Sequence, residues 1–166
     1  MRENLRICTV TALQRPARRL VYLLSHHASD YFSFCEEMGC EWEKVLNAFP
    51  AKMDTAALLT LPPGLVEEGE SSIAAGIELP LNGAEVIPDG YRTVQLPACM
   101  MLYFQTEPFE REEDFGMAIS DAFAALRRYD AQRYGYRYAY DRAPVFNFGA
   151  AAAVGARLAV PVEKIE

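Results

Sequence analysis

The sequence predicts an α+β fold in which one β-α-β-β unit occurs twice around a pseudo-two-fold axis. Residues 20–23 (LVYL) match residues 101–104 (MLYF), and residues 76–81 (GIELPL) match residues 157–162 (RLAVPV). Both matches have an offset of about 81 residues, which exceeds the roughly 20 to 50 residues of a solenoid repeat. Two packed copies of one unit are therefore predicted.

Two helical patterns occupy matching places between these strands. Apolar residues recur at three- and four-residue spacing over residues 31–49 and again over 115–129, as in helices that bury one face. We therefore expect a single domain over 1–166, with repeat one at about 1–81 and repeat two at about 90–166. Two long helices should cover one face of the sheet, with a central ligand cleft. The matched positions are Phe34, Met38, Trp42 and Val45 against Phe115, Ile119, Phe123 and Leu126.

The strands of repeat one follow from alternation and from turn residues. Alternating residues over 5–13 predict a half-buried strand, and the apolar run 20–24 predicts a second strand. Residues 56–61 end at a Pro-Pro-Gly turn, and residues 72–79 end at a proline. Residues 81–90 contain Asn-Gly and Pro-Asp-Gly, so they are the predicted connection between the repeats.

The helix of repeat one begins after the capping residue Asp30 and ends at Pro50. Gly39 lies inside it. A glycine within a helix lowers the stability of that helix by about 1 kcal/mol relative to alanine, so we expect Gly39 to mark a close approach or a break. Strands are predicted in repeat two at 91–96, 99–105, 145–148 and 156–162. Its helix has acidic residues at the start and Arg127 and Arg128 at the end, which complements the helix dipole.

The composition excludes several classes of protein. The 166 residues are 51% hydrophobic and 23% charged, as in a globular domain. A net charge of −7 argues against direct nucleic-acid binding, although Arg2, Arg6, Arg15, Arg18 and Arg19 make the first twenty residues basic. No run reaches the ~18 apolar residues of a membrane span, and no signal peptide is evident. We therefore expect a cytoplasmic protein whose four cysteines are reduced.

Five segments resemble the GyrI-like small-molecule-binding domains, also called AraC-type effector-binding domains. They are 30–42 (DYFSFCEEMGCEW), 75–80 (AGIELP), 88–91 (PDGY), 96–98 (LPA) and 159–162 (AVPV). The resemblance implies the duplicated fold, with a ligand cleft between the helices over the sheet. It also implies a stand-alone member, which would be a multidrug-binding or gyrase-modulating protein or a hydrolase of cyclopropane-bearing genotoxins.

The segment 144–149 (PVFNFG) departs from that family. Members often carry a buried glutamate here that pairs with cationic ligands, and Asn147 occupies its place. A neutral amide does not offset the cost of burying a cation, so the departure weakens the interpretation as a receptor for cationic drugs.

The aromatic residues are the strongest chemical feature, because ligand sites are mostly apolar with a few placed polar groups. Aromatic residues at helix and strand spacing are more often core residues, but Tyr22 and Tyr103 occupy corresponding places in the repeats. The predicted ligand-binding residues are Trp42, Tyr22, Tyr31, Tyr103, Phe146, Asn147, Phe148 and Glu78.

Glu78 is the acid of greatest interest, because it interrupts an apolar strand. If its side faces the cleft, burial would raise its pKa and suit it to acid-base chemistry. If that side faces solvent, Glu78 is a polar residue of a half-exposed sheet. In an enzyme, Glu78 would activate water while Tyr103 or Tyr22 stabilises negative charge on a carbonyl.

Metal and cofactor sites are not expected. Cys35 and Cys40 lie five residues apart, about 140° around a helix, so they do not share a ligating face. His26 and His27 lack a third ligand at useful spacing, and no nucleotide-binding or nucleophile motif occurs.

Three functions remain open. The first is binding of a lipophilic or aromatic small molecule for sensing or sequestration. The second is hydrolysis of a cyclopropanoid or similar strained electrophile in the same cleft. The third is regulation of a protein partner, such as gyrase or a transcription regulator, through an acidic surface. That surface comprises Glu67, Glu68, Glu70, Glu110, Glu112 and Glu113.

Overall fold

The computed structural model describes residues 7–165, which form an α+β fold of nine antiparallel strands in one sheet and three helices. The predicted start of the first strand and the basic residues Arg2 and Arg6 lie outside these residues. The strands are β1 (Cys8–Arg15), β2 (Arg18–Leu24), β3 (Ala57–Thr60), β4 (Ile73–Pro80), β5 (Arg92–Leu96), β6 (Cys99–Thr106), β7 (Tyr136–Tyr138), β8 (Val145–Ala151) and β9 (Gly155–Lys164). The helices are α1 (Tyr31–Met38), α2 (Glu41–Asn47) and α3 (Phe115–Arg128).

The strand order requires a strongly curled sheet. The order is β1-β6-β9-β8-β3-β4-β2-β5, with β7 paired to β9. β1 and β2 stand six strand spacings apart, roughly 29 Å in a flat sheet. The two residues Pro16 and Ala17 join them, and that link spans only about 11 Å. The two ends of the sheet therefore approach each other.

Side-chain contacts identify the concave face of this curled sheet. Arg15 on β1 contacts Glu78 on β4, and Arg18 on β2 lies 4.0 Å from the Cys99 sulfur on β6. Each contact joins strands that are distant in the sheet order, so these side chains point toward the inside of the curl. The apolar core of this face includes Leu20, Leu59, Met101 and Phe146.

The helices cover the opposite, convex face. Leu58 pairs with Asn147, and Asn147 pairs with Leu158, so the three side chains share one side of the sheet. Leu58 packs in the core under α1 and α2 with Phe34, Trp42 and Ile77. Leu158 packs in the core under α3 with Phe104 and Ala122. The two helical layers therefore lie side by side on one face.

The prediction of one long helix over residues 31–49 was wrong, and the alternative of a break at Gly39 is confirmed. The chain forms α1 and α2, which are separated by Gly39 at φ 72° and ψ −164°, a region of backbone conformation that is open essentially to glycine alone. The Asp30 side chain caps α1 as expected, accepting a hydrogen bond from Ser33 N at 2.8 Å. The predicted α3 is confirmed over Phe115–Arg128.

Gly39→Ala should lower the free energy of unfolding by about 1–3 kcal/mol, because alanine is strained at this backbone conformation. Crowding does not contribute, since a Cβ at Gly39 would meet no atom within 4 Å. Urea denaturation measures the change. Gly116→Ala in α3 is the control, because its Cβ also meets nothing and alanine favours the helix by about 1 kcal/mol. Equal stabilisation by both substitutions would contradict the assignment of strain.

No helix within residues 7–165 has the length and apolar character needed to span a membrane.

Candidate ligand groove

A groove of about 480 Å³ lies on the convex face, between the start of α1 and the middle of α3. Thr60 at the end of β3 pairs with Val145 at the start of β8, and both line the groove. Tyr31 from α1 and Phe123 from α3 are its aromatic walls, with ring centroids 6.3 Å apart. The volume falls within the roughly 300–1,000 Å³ of small-molecule sites.

The Tyr31 hydroxyl is one of the polar groups that line the groove. It forms a hydrogen bond with Thr60 Oγ1 at 3.0 Å. Burial raises the pKa of Tyr31 above its ordinary value, so the phenol stays neutral and protonated at physiological pH. A neutral phenol beside an apolar ring can stack on a ligand and orient one polar atom.

Asp30 is the carboxylate among the groove-lining residues that the structure describes. Hydrogen bonds from the backbone and side chain of Ser33 lower the pKa of this carboxyl, so it is ionised at neutral pH. It is also exposed, and solvent screens its charge. A cationic ligand would therefore meet a screened charge at the rim.

Asn147 lies on the same face as the groove, one alternation along β8 from Val145. Its side chain is 6% exposed, and its Oδ1 accepts a hydrogen bond from Gly149 N at 2.9 Å. That bond spans a register shift in β8 between Asn147 and Ala150. The Asn147 amide therefore stabilises the register shift in β8 and adds no charge near the groove.

Four of the predicted aromatic residues lie together on the concave face, away from the groove. Tyr103 stacks with Phe148 at 6.4 Å, and Phe148 stacks with Phe146 at 5.6 Å. Tyr22 belongs to the same core and is 5% exposed. Burial raises the pKa of Tyr103 to about 12, so its phenol also stays protonated.

Glu78 is buried on the concave face and is 3% exposed. Its two oxygens accept hydrogen bonds from Arg18 Nε and, at 3.3 Å, from Arg15 Nη2. Arg18 is itself fully buried and donates to the carbonyl oxygens of Pro16 and Pro97. Through Arg18, the carboxylate is thus tied to the link between β1 and β2, at Pro16, and to the link between β5 and β6, at Pro97. This structural arrangement does not favour Glu78 as a base for water.

Trp42 is a residue of α2, and its side chain packs in the core between this helix and the sheet. It lines neither the groove nor the concave face. Its ring packs edge-on against Phe34 at 6.3 Å, and it is 4% exposed. Of the eight predicted ligand-binding residues, the groove thus contains Tyr31. Sequence reasoning missed Thr60 and Val145, because their meeting in the groove depends on strand register. It also missed Tyr140, which reaches the groove from the turn after β7.

Within residues 7–165, no group of three or more His, Cys, Asp or Glu side chains is arranged to hold a metal ion. Two of the six glutamates in the predicted acidic surface for a protein partner form ion pairs with arginines. Glu70 binds Arg92 at 2.7 Å, and Glu113 binds Arg111 at 3.0 Å.

Solved structures share this fold at low sequence identity. The structure of SAV2435 bound to tetraphenylphosphonium aligns at a TM-score of 0.61 and 14% identity, covering 93% of this chain and 94% of that chain. The EcmrR C-terminal domain aligns at 0.56 and 14% identity, covering 96% and 99%. EcmrR in its DNA complex aligns at 0.55 and 14% identity, where the match spans 95% of this chain and 58% of that chain.

No protein-family model and no curated protein matches the chain.

Proposed function

We propose that this chain, which has the fold of the GyrI-like small-molecule-binding domains, binds a lipophilic, partly aromatic small molecule in the groove between α1 and α3. The observation that carries the proposal is a 480 Å³ groove with aromatic walls, two tyrosine hydroxyls (Tyr31 and Tyr140) and one rim carboxylate. The role is capture of such a molecule for sensing or sequestration. Tetraphenylphosphonium, the ligand in the SAV2435 structure, has the chemistry that such walls accept.

The two halves of the chain are, in this proposal, copies of one unit. The strand order supports it, because β9 and β4, then β6 and β2, then β1 and β5 hold matching places on either side of the β8–β3 pair. The links that close the curl support it as well, since Pro16-Ala17 and Pro97-Ala98 are the same dipeptide at the repeat offset. The groove then lies where the two copies meet.

The groove should bind neutral ligands about as tightly as cations. Its affinity comes mainly from burying apolar surface, at roughly 25 cal/mol per Å², and from aromatic contacts. Asp30 is exposed at the rim, so a screened charge adds little. Calorimetric titration with tetraphenylphosphonium and with neutral triphenylphosphine oxide should give dissociation constants within about tenfold. A cation preference of a thousandfold would contradict this basis for affinity.

Phe123→Ala should weaken binding of tetraphenylphosphonium about tenfold or more, because it removes one aromatic wall. Tyr140→Ala should also weaken it, and that ring is half exposed, so its removal leaves the core intact. Titration calorimetry of the full chain measures both changes, and thermal unfolding confirms that each variant is folded.

Phe32→Ala is the matched control, since Phe32 follows Tyr31 on α1 but is 75% exposed and lies outside the groove. Its affinity should equal that of the wild type. Loss of affinity in Phe32→Ala with none in Phe123→Ala or Tyr140→Ala would move the site elsewhere on the chain.

A further inference from the structure

Two thiols, Cys35 and Cys40, lie on either side of the break between α1 and α2. In a straight helix, residues five apart lie about 140° from each other around the axis. Here Gly39, at φ 72°, turns the chain after its amide has donated to Cys35 O at 3.0 Å. The next residue, Cys40, is the N-cap of α2, and its side chain is close enough to the Cys35 thiol to raise the pKa of that thiol.

These two cysteines are also reachable from solvent. Cys40 is exposed and Cys35 is partly exposed, and both are free thiols. Cys99 is buried on the concave face, and Cys8 lies on β1 at the edge of the sheet. Cys35 and Cys40 are therefore an adjacent, accessible thiol pair, separate from the proposed ligand groove.

We propose that Cys35 and Cys40 form a reversible disulfide when the protein meets a peroxide. The thiolate of one cysteine attacks a peroxide oxygen, the O–O bond breaks, and an alcohol or water leaves with a sulfenic acid formed on that sulfur. The second thiol attacks the sulfenic sulfur, the S–S bond forms, and water leaves. Two thiols are oxidised by two electrons, and the peroxide is reduced by two. A thiol reductant reverses the step by disulfide exchange.

The surroundings of the two cysteines indicate which one reacts with the peroxide and which one then resolves the sulfenic acid. Burial raises the pKa of the Cys35 thiol, and the neighbouring Glu43 carboxylate acts in the same direction. Cys35 therefore contributes less thiolate at neutral pH, and the thiolate is the species that reacts with peroxide. The exposed Cys40 therefore attacks the peroxide first and becomes the sulfenic acid, and Cys35 is the resolving cysteine beside it.

Closing this bond would fix the turn between α1 and α2. Phe34 on α1 and Leu46 on α2 are fully buried in the same core, so each helix is already anchored to the sheet. The disulfide would link them at the exposed joint, where the chain depends on one glycine. The proposal is independent of ligand binding in the groove.

Peptide mapping of the full-length protein tests the pair. Trypsin cuts after Arg19 and Lys44, so residues 20–44 leave as one peptide that holds both thiols, while Cys8 and Cys99 fall in other peptides. The protein is treated with hydrogen peroxide, alkylated under denaturing conditions and digested. The expected peptide lacks both alkyl groups and has lost two hydrogen atoms. Treatment with dithiothreitol before alkylation should restore both alkyl groups.

Variants keep the proposal falsifiable. Cys40→Ser and Cys35→Ser should each abolish the loss of two hydrogen atoms, whereas Cys99→Ser should retain it. The proposal is overturned if the wild-type peptide instead accumulates sulfinic or sulfonic acid on Cys40 while Cys35 is still alkylated. It is also overturned if the oxidised peptide is joined to a second chain, or if both thiols remain alkylated after peroxide treatment that oxidises Cys8.

Discussion

Glu78→Gln should lower the free energy of unfolding by about 3–5 kcal/mol, the cost of leaving a buried charge without its partner. Arg18 is fully buried, and Glu78 is the carboxylate that neutralises it. A glutamine keeps the size of the side chain but supplies no negative charge. The buried guanidinium then bears its full desolvation cost at the point where the two links of the curled sheet meet. Urea denaturation at neutral pH measures the loss.

Glu70→Gln is the matched control for Glu78→Gln. Glu70 also pairs with an arginine, Arg92, but that arginine is 48% exposed, so the pair should contribute less than about 1 kcal/mol. Replacing both members of the buried pair, as Arg18→Met with Glu78→Leu, should recover part of the stability lost in Glu78→Gln, because no unpaired charge remains. Equal effects of Glu78→Gln and Glu70→Gln would contradict a buried, structural ion pair.

Gly155→Ala should lower the free energy of unfolding by about 3 kcal/mol or more, through strain and overlap together. Gly155 begins β9 at φ 83°, where alanine is strained. A Cβ there would also overlap the carbonyl oxygen of Thr106 and stand 2.8 Å from that of Glu107. Backbone atoms at the end of β6 cannot move aside without breaking the β6–β9 pairing.

Gly64→Ala separates these causes from the general effect of removing a glycine. Gly64 has an ordinary negative φ, and its Cβ would meet no atom within 4 Å, so its substitution should change the stability by less than about 1 kcal/mol. Chemical denaturation of both variants gives the comparison. Wild-type stability in Gly155→Ala would mean that the β6–β9 end is not packed as closely as the structure has it.

Most strands and one helix were predictable because their patterns are local. The predicted strand at 99–105 and helix at 115–129 agree with β6 and α3 within one residue, since apolar periodicity and turn residues mark them directly. Periodicity alone did not predict the break at Gly39, because apolar residues continue at helical spacing on both sides of it. Phe34 precedes the break and Trp42 and Leu46 follow it. Those side chains share one core although the helix does not continue.

The site was harder to predict than the fold, because the two faces of a sheet look alike in sequence. Tyr22 and Tyr103 were predicted to face a cleft from matching places, and they do share one face, but it is the concave core. Tyr31 reaches the groove because α1 covers the convex face. The partners Thr60 and Val145 are 85 positions apart in sequence, and only the β3–β8 register brings them together.

Chemical-shift mapping of tyrosine rings, carbon-13 labelled in the full chain and titrated with tetraphenylphosphonium, tests the groove most directly. Single Tyr→Phe variants assign the signals of the nine tyrosines. We expect saturable shifts at Tyr31 and Tyr140, which line the groove, and unchanged signals from Tyr22 and Tyr103 in the concave core. Saturable shifts confined to Tyr22 and Tyr103, or none at any tyrosine up to the solubility limit, would contradict a ligand site between α1 and α3.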